Sequence, residues 1–203
     1  MYALVEDNNI TQYINNPKSL VIGDVRYPAK IFQYWSKSEL NAIGIYEIVN
    51  DLTNYKDNEY YINTNEQYNF ADNQVTKSWG TATARRLNDE NAVDDNGDPI
   101  LDQDGVQLIN YGLKTEKKRI VKDQASGLLA PTDWYIVKST EVADYNVPDN
   151  ILSFRADVRS KSNEMETQID ACTTVDELKA LYEYTEQEDG TQTRPLAEFP
   201  KEI

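Results

Sequence analysis

Apolar side chains recur at seven-residue intervals between Pro148 and Ala171, and this spacing restricts what the segment can become. Seven residues are close to two turns of an α-helix, so side chains at this interval lie on one face. The stripe consists of Ile151, Phe154, Val158, Met165, Ile169 and Cys172. A stripe this narrow packs against one other helix, which can belong to the same chain or to a second copy. The pattern predicts a helix over 148–171, and all members of the stripe except Cys172 are candidate interface residues.

A second helix is expected upstream of this one. Apolar residues follow helical spacing over 113–129, and Pro131 ends the pattern because the residue before a proline disfavours helix. The run 134–137 is rich in β-prone side chains and predicts a short strand. Asp133 and Trp134 could form a ligand-stacking pair, although an Asp at such a place more often orders a turn and an indole more often fills a core. We retain Trp134 as a candidate interface residue.

The C-terminal end combines a short helix with an extended segment. Thr174 and Glu177 have capping-box spacing and predict a helix over 175–184. The polar run that follows is expected to be a loop. The last segment, 195–200, begins and ends with proline, which favours an extended chain able to dock on another surface. Phe199 is the candidate interface residue of this segment.

The N-terminal part is expected to be rich in β-structure. Ser36 and Glu39 have capping-box spacing, which predicts a helix over 37–43, and Gly44 stands where a helix C-terminus favours positive φ. Alternation of apolar and polar residues predicts strands, of which the first two and the last two form hairpins. The expected strands are 2–6, 10–14, 45–49, 59–70 and 74–84.

Charge is concentrated in the middle of the chain. Residues 87–112 contain seven carboxylates and no Lys or Arg, and their Asn-Gly and Asp-Gly dipeptides predict an irregular or hairpin connector. A basic cluster follows directly; it consists of Lys114, Lys117, Lys118, Arg119 and Lys122. The two stretches are candidates for mutual attraction or for pairing between chains, although solvated faces are the usual outcome.

One part of the acidic segment resembles a calcium-binding loop. The side chains of Asp94, Asn96 and Asp98 could converge on a hard cation. An EF-hand loop needs glycine at its sixth position and a bidentate carboxylate at its twelfth, and here those positions hold Pro99 and Gly105. The three residues are therefore weak metal-ligand candidates, a solvated acidic turn is favoured, and no metal or other cofactor is predicted.

Composition excludes several kinds of chemistry. The chain has no histidine, so Ser-His-Asp, Cys-His and histidine–metal centres are excluded. Its single cysteine cannot form an intramolecular disulfide and is expected to be a small buried residue. No catalytic residue is assigned, and we do not expect an enzyme.

Charge and apolar content indicate which partners the chain can have. A net charge of −15 argues against nucleic acid and anionic membranes as partners, because neutralising phosphates needs clustered cations. No window approaches the roughly 18 apolar residues of a membrane helix, and the N-terminus does not have the pattern of a signal peptide. The apolar fraction of 39% is low for a globular chain, so the core is expected to be divided, thin or completed by partner chains.

Two sets of segments resemble bacteriophage tail proteins. The opening MYALVEDNNITQY, the stretch RYPA at 26–29 and LNAIGIYEIV at 40–49 are similar to the N-terminal module of small phage tail-fibre and virion proteins. The run 118–134, which ends in LLAPTDW, and the later FRADVR at 154–159 resemble the phage tail-assembly-chaperone-like family. In that family a helix, an LL-x-x-T-D-W turn and a Y/F-R-x-x-x-R helix follow one another at this spacing, which makes the second resemblance the more specific.

These patterns predict an α+β fold, with a small N-terminal β-rich module of hairpins and one short helix followed by a C-terminal helical region. The resemblance divides the chain into a virion-attachment module at 1–86, an acidic connector at 87–112 and a tail-assembly-chaperone-like region at 113–203.

The resemblance also implies a function. It implies a non-enzymatic structural protein of the phage tail, baseplate or fibre-attachment region, made in the host cytoplasm and located in the virion. The expected partners are other tail or virion proteins and further copies of the chain. Two alternatives remain open: a tail-fibre assembly chaperone that is absent from the mature virion, and a carbohydrate-binding receptor module that uses exposed Trp and Tyr.

Overall fold

The computed structural model describes residues 1–201 and contains two compact units, one spanning Met1–Ala84 and the other beginning at Arg85. The first unit is mainly β-structure with two short helices, and the second holds the longer helices. The α+β prediction is therefore confirmed. The acidic segment 87–112 lies within the second unit.

A five-stranded sheet organises the first unit. In chain order the elements are β1 (Tyr2–Glu6), β2 (Asn9–Ile14), β3 (Leu20–Ile22), β4 (Val25–Tyr27), α1 (Ile31–Tyr34), α2 (Lys37–Ala42), β5 (Ile45–Asn50), β6 (Tyr61–Ile62), β7 (Gln67–Ala71), β8 (Gln74–Ser78) and β9 (Thr83–Ala84). The sheet has the order β2-β1-β5-β8-β7, in which only the β5–β8 pair is parallel. Strands β3 and β4 form a separate hairpin, and β6 pairs with β9.

Two tight turns explain the hairpins of this sheet. Asp7 and Asn8 connect β1 to β2 with φ of 51° and 64°, and Asp72 and Asn73 connect β7 to β8 with φ of 50° and 56°. Asp and Asn tolerate this left-handed region better than other non-glycine residues, which is why both hairpins are legible in the sequence. The longer hairpin expected over 59–84 is interrupted, since β6–β9 and β7–β8 pair separately.

Each face of the sheet buries its own apolar cluster. Ile14 and Ile45 are fully buried on one face, where they pack with Leu4, Leu20, Ile31 and Leu40. Ala3, Val5 and Val75 form the cluster on the other face. Neighbours along β1 therefore alternate between two cores, as the two-residue period of a strand requires.

Gly44 joins α2 to β5 at a place where a side chain has no room. Its φ is +81°, and a Cβ at this position would lie 2.6 Å from the carbonyl oxygen of Val5. The backbone N–H of Val5 also donates to the Gly44 carbonyl at 2.8 Å. The close approach of the two backbones explains the glycine better than the helix C-terminus alone does.

Replacing Gly44 by Ala is expected to destabilise the first unit by about 2 kcal/mol, because positive φ and the contact with Val5 oxygen both oppose a Cβ. Gly23→Ala is the matched control, since φ there is +58° but nothing lies within 4 Å of the added carbon. Urea denaturation of both variants measures the difference. Equal losses of stability would show that the contact with Val5 is unimportant.

Helices form most of the second unit. Its elements are β10 (Glu90–Asn91), β11 (Ile109–Asn110), α3 (Leu113–Leu129), a 3₁₀ turn (Ala130–Thr132), α4 (Asp133–Glu141), α5 (Asp149–Ala171), α6 (Val175–Ala180), β12 (Thr185–Glu186) and β13 (Gln192–Thr193). The predictions of helices over 113–129 and 148–171 are confirmed within one residue at each end. Helix α6 ends four residues before the predicted end at 184, and the following polar run contains the small hairpin β12–β13.

The prediction of a strand over 134–137 is wrong, because these residues belong to α4. Leu129, Ala130 and Asp133 all have right-handed helical backbone angles, so the chain passes from α3 through the 3₁₀ turn into α4 without leaving helical conformation. The Asp133 carboxylate in the first turn also stabilises the helix, because its negative charge interacts with the positive end of the helix dipole. This context overrides the β propensity of four residues that have no partner strand.

Candidate functional site

The helical stripe that was expected to form an interface is covered by the chain itself. Its five candidate residues, Ile151, Phe154, Val158, Met165 and Ile169, are between 0% and 7% exposed. Helix α3 packs along α5, and Ala125 of α3 lies in one cluster with Phe154 and Val158. Of the two possible sources of a partner helix, the same chain supplies one here, and these residues form the core of the second unit.

The C-terminal segment 195–200 also docks on its own chain. Leu196 is buried, and Phe199 packs against the cluster of Ala125, Phe154 and Val158. The Gln168 side-chain amide donates to the carbonyl of Pro195 at 3.1 Å, and its oxygen accepts from the N–H of Ala197 at 2.8 Å. Phe199 is therefore an intramolecular anchor of this segment.

A buried arginine connects the two segments that resemble the phage family. Arg155 of α5 is buried, and its guanidinium donates to the Leu129 carbonyl at 3.0 Å and to the Thr132 hydroxyl. The same group pairs with the Asp133 carboxylate at 2.8 Å. The Thr132 hydroxyl in turn donates to the Leu129 carbonyl at 2.7 Å. Arg155 thus satisfies a carbonyl at the end of α3 and holds the start of α4.

Helix α4 leaves two of its apolar side chains exposed and half-buries the other two. None of the residues in Asp133–Glu141 is buried, although the helix begins Asp-Trp-Tyr-Ile-Val. Trp134 is 51% exposed, and its ring lies 3.8 Å from that of Tyr135. Val137 is exposed three residues further along the same face. We call Trp134 and Val137 the α4 patch; the candidate interface residue Trp134 is on the surface.

The acidic segment contains a tandem repeat that sequence reasoning missed. Residues 93–100 (VDDNGDPI) and 101–108 (LDQDGVQL) share the pattern aliphatic-Asp-x-Asn/Asp-Gly-x-x-aliphatic. The recurrence of Asp and Gly at a spacing of eight was the available signal. We call residues 93–108 the acidic lobe.

The two repeats make the same local hydrogen bonds. One oxygen of Asp94 accepts from the N–H groups of Asn96 and Asp98, both at 2.9 Å. The corresponding oxygen of Asp102 accepts from Asp104 at 2.9 Å and from Val106 at 2.8 Å. In this arrangement the Asp94 carboxylate stabilises a turn. Within residues 1–201, no group of three or more His, Cys, Asp or Glu side chains is placed to hold a metal ion.

Backbone hydrogen bonds close the acidic lobe in a triangle. Ala92 N–H donates to the carbonyl of Leu108 at 2.8 Å, Leu108 to that of Ile100 at 2.9 Å, and Ile100 to that of Ala92 at 3.0 Å. The Gln107 amide nitrogen lies 2.7 Å from the Ala92 oxygen, 3.1 Å from the Ile100 oxygen and 3.0 Å from the Leu108 oxygen. The two hydrogens of one side-chain amide are therefore shared among the three carbonyl oxygens.

Replacing Gln107 by Glu is expected to open the acidic lobe, because a carboxylate would face three carbonyl oxygens without a proton to donate. We expect the amides of Ala92, Ile100 and Leu108 to exchange with solvent at least tenfold faster, as measured by NMR hydrogen exchange. Gln103→Glu introduces the same charge at an exposed place in the lobe and is the control. Unchanged exchange in the Gln107 variant would contradict the structural role of this amide.

Acid is expected to weaken the first repeat. The N–H groups of Asp98 and then of Asn96 hold the pKa of Asp94 below its ordinary value of 3.8. Because the folded-state pKa is lowered, the ionised carboxylate stabilises the turn above the ordinary pKa, and this contribution is lost as the pH falls through the lower folded-state pKa. An NMR titration of the Asn96 and Asp98 amides measures it, with Asp94→Asn as control. A pKa of Asp94 at or above 3.8 would contradict this account.

Two lysines of the basic cluster form ion pairs with α5 and not with the acidic segment of the same chain. Lys118 pairs with Asp170 at 2.7 Å, and Lys122 pairs with Glu166 at 3.2 Å. Lys117 is buried with its ammonium 4.3 Å from the centre of the Tyr182 ring. Within residues 1–201, the five lobe carboxylates make no ion pair; they belong to Asp94, Asp95, Asp98, Asp102 and Asp104.

Cys172 lies beside an apolar cleft of about 410 Å³. Burial, followed by the negative charge of Glu177, raises the pKa of its thiol. The raised pKa disfavours the thiolate that a nucleophilic role would need. The cleft is lined chiefly by Ala171, Ala180, Leu181 and Pro195. This thiol therefore has the environment of a packing residue.

In residues 1–201, no helix combines the length and the apolar character needed to cross a bilayer. Comparisons with protein families, with curated proteins and with solved structures give no match to this chain.

Proposed function

We propose that this chain is a non-enzymatic structural protein of a bacteriophage virion, located in the tail, the baseplate or the fibre-attachment region, and that it assembles through protein–protein contacts. The phage context comes from the resemblance of the segments within 1–49 and 118–159 described above. The observation that carries the proposal is the α4 patch, an aromatic and aliphatic surface on a helix without a buried residue in Asp133–Glu141.

The residues that carry the more specific resemblance are the residues that position this patch. Thr132 and Asp133 belong to the TDW motif, and Arg155 belongs to the FRADVR motif. Their mutual hydrogen bonds and ion pair fix the start of α4 immediately before Trp134. A motif whose residues position an exposed surface is typical of a binding role. A motif that served only the core would not need to keep a tryptophan on the surface.

The patch has the properties of a contact site for another protein. Tryptophan is enriched among the residues that contribute most to binding energy at interfaces. The rings of Trp134 and Tyr135 are in contact at a tilt of 32°, so part of the conformational freedom of Trp134 is already restricted before a partner binds. Such preorganisation lowers the entropic cost of association. Lys138, whose ammonium lies 5.7 Å from the centre of the Trp134 ring, adds a cation beside the patch.

Mass spectrometry of purified virions that carry this gene tests the proposal. We expect the chain in the particles, and we expect Trp134→Ala to lower its incorporation at least tenfold without changing its thermal unfolding. Tyr34→Ala removes another exposed aromatic ring and is the control.

Absence of the wild-type chain from purified particles would contradict the proposal. If the chain were absent from particles but bound to a tail protein in infected cells, it would instead be an assembly chaperone.

A further inference from the structure

The outer surface of the acidic lobe combines aliphatic side chains with unpaired carboxylates. Val93, Leu101 and Val106 are 53%, 53% and 60% exposed. The five lobe carboxylates have no ion pair within residues 1–201. The triangle of backbone hydrogen bonds holds these side chains on a closed scaffold. A complementary surface must therefore supply aliphatic groups and cations together.

The β3–β4 hairpin of the first unit has this complementary composition. The register places Leu20 opposite Tyr27 and Val21 opposite Arg26. Leu20 and Tyr27 face the core of the first unit, so Val21 and Arg26 share the outer face. Val21 is 62% exposed. The hairpin thus presents an aliphatic side chain directly beside a guanidinium.

Further cations flank the hairpin. Lys18 precedes β3, Lys30 follows β4, and Asp24 at the tip is the only carboxylate between them. Lys18, Arg26 and Lys30 make no ion pair in the part of the chain that the structure describes. Lys118 and Lys122 of the basic cluster, by contrast, pair with carboxylates of α5. The hairpin is consequently a cationic surface that is free to bind carboxylates.

We propose that the β3–β4 hairpin of one copy binds the acidic lobe of a second copy, so that the chains associate head to tail. Because the two surfaces differ, a bound pair of copies leaves one hairpin and one lobe open, and association continues into a ring or a filament. The inference rests on the proposed function, because it identifies a second copy of the chain as one of the partners with which the protein assembles.

The net charge of −15 makes the salt dependence of this association informative. Long-range repulsion between copies is screened at physiological ionic strength, where the Debye length is about 8 Å, whereas pairs in direct contact are screened less. We expect the association constant to rise from about 0.01 M to 0.15 M salt and to fall again near 1 M. Association that only strengthens up to 1 M would contradict a contact between opposite charges.

Charge reversal in the full-length chain tests the pairing. The hairpin variant carries Lys18→Glu and Arg26→Glu, and the lobe variant carries Asp95→Lys and Asp104→Lys, which leave both turn-forming aspartates in place. Sedimentation velocity over a concentration series measures association, and circular dichroism checks the fold. Each variant alone is expected to lose at least tenfold in association constant, because like charges then face each other. Glu188→Lys, an exposed reversal elsewhere, is the control.

Mixing the two variants tests whether the hairpin and the lobe bind each other between copies. An equimolar mixture of the two variants is expected to regain association, since the reversed hairpin meets the reversed lobe and the native surfaces meet each other. The inference is overturned if the mixture stays monomeric, if only a chain with all four substitutions recovers, or if the wild type is monomeric at every salt concentration.

This experiment separates the inference from the proposed function. A chain that is present in virions but monomeric after purification would contradict the head-to-tail contact alone. A chain that self-associates through these surfaces but is absent from virions would contradict the structural role alone.

Discussion

Replacing Val158 by Asp is expected to unfold the second unit. Val158 is fully buried between α5 and α3, and a carboxylate there would lose its hydration without gaining a partner. The lost packing adds to this penalty, so we expect a destabilisation of about 4 kcal/mol or more. This is a large part of the 5–15 kcal/mol by which a typical domain is stable. Loss of the helical circular dichroism signal and faster amide exchange in α3 and α5 would report it.

Leu152→Asp is the matched control, because Leu152 lies on the same helix with its side chain exposed. It introduces the same charge into α5 and is expected to change stability by less than about 1 kcal/mol. Met165→Asp, at a second fully buried position of the stripe, should behave like the Val158 variant. A folded Val158 variant that only failed to associate would mean that the stripe is an interface between copies and not the core of one chain.

Replacing Arg155 by Met is expected to release the start of α4 and to cost about 2–4 kcal/mol. The methionine keeps most of the aliphatic stem but leaves the Leu129 carbonyl and the Thr132 hydroxyl without their charged donor. These two hydrogen bonds contribute most of the expected loss, because the Asp133 side chain is 60% exposed and its ion pair is screened by water. Urea denaturation measures the cost, and hydrogen exchange over 128–141 locates it.

Two substitutions isolate the contribution of Arg155. Arg159→Gln removes a charge one turn further along α5, where the arginine is exposed, and is expected to have little effect. Asp133→Asn keeps the shape of the side chain and removes the ion pair, so it should cost about 0.5 kcal/mol. If Arg155→Met cost no more than Asp133→Asn, the buried hydrogen bonds would not contribute.

The Arg155 variant also bears on the proposed function. Arg155 does not reach the surface of the α4 patch, yet it fixes the helix that carries Trp134. We therefore expect Arg155→Met and Trp134→Ala to impair incorporation into virions by different routes, the first with a loss of stability and the second without one. Thermal unfolding of the two purified variants distinguishes them.

Local patterns were sufficient where the interactions that define an element are local. The capping boxes of Ser36 with Glu39 and of Thr174 with Glu177 are both formed, and the helices begin where the sequence predicts. The seven-residue spacing of the stripe correctly predicts α5, because one buried face is enough to define a helix. Turn-forming Asp and Asn residues likewise made the β1–β2 hairpin and the turn between β7 and β8 predictable.

Local patterns failed where distant residues set the outcome. Four β-prone residues of α4 are helical because the preceding 3₁₀ turn continues the helical backbone of α3 into them. Arg155, which is 22 or more residues away along the chain, stabilises this turn through its hydrogen bonds and ion pair. The acidic segment became a closed lobe through the Gln107 amide and a triangle of backbone bonds, neither of which composition reveals. The eight-residue repeat is present in the sequence, but its Asp residues were interpreted only as part of a generally acidic composition.

The sequence by itself determined the α+β division, the two long helices, the stripe that one of them buries and the exclusion of histidine chemistry, because each depends on residue type and short-range spacing. Only the tertiary structure decided what covers the stripe, where the C-terminal segment docks, which carboxylates neutralise the basic cluster and which aromatic surface stays exposed. These outcomes depend on contacts between residues that are far apart in the sequence, and no local sequence pattern specifies such contacts.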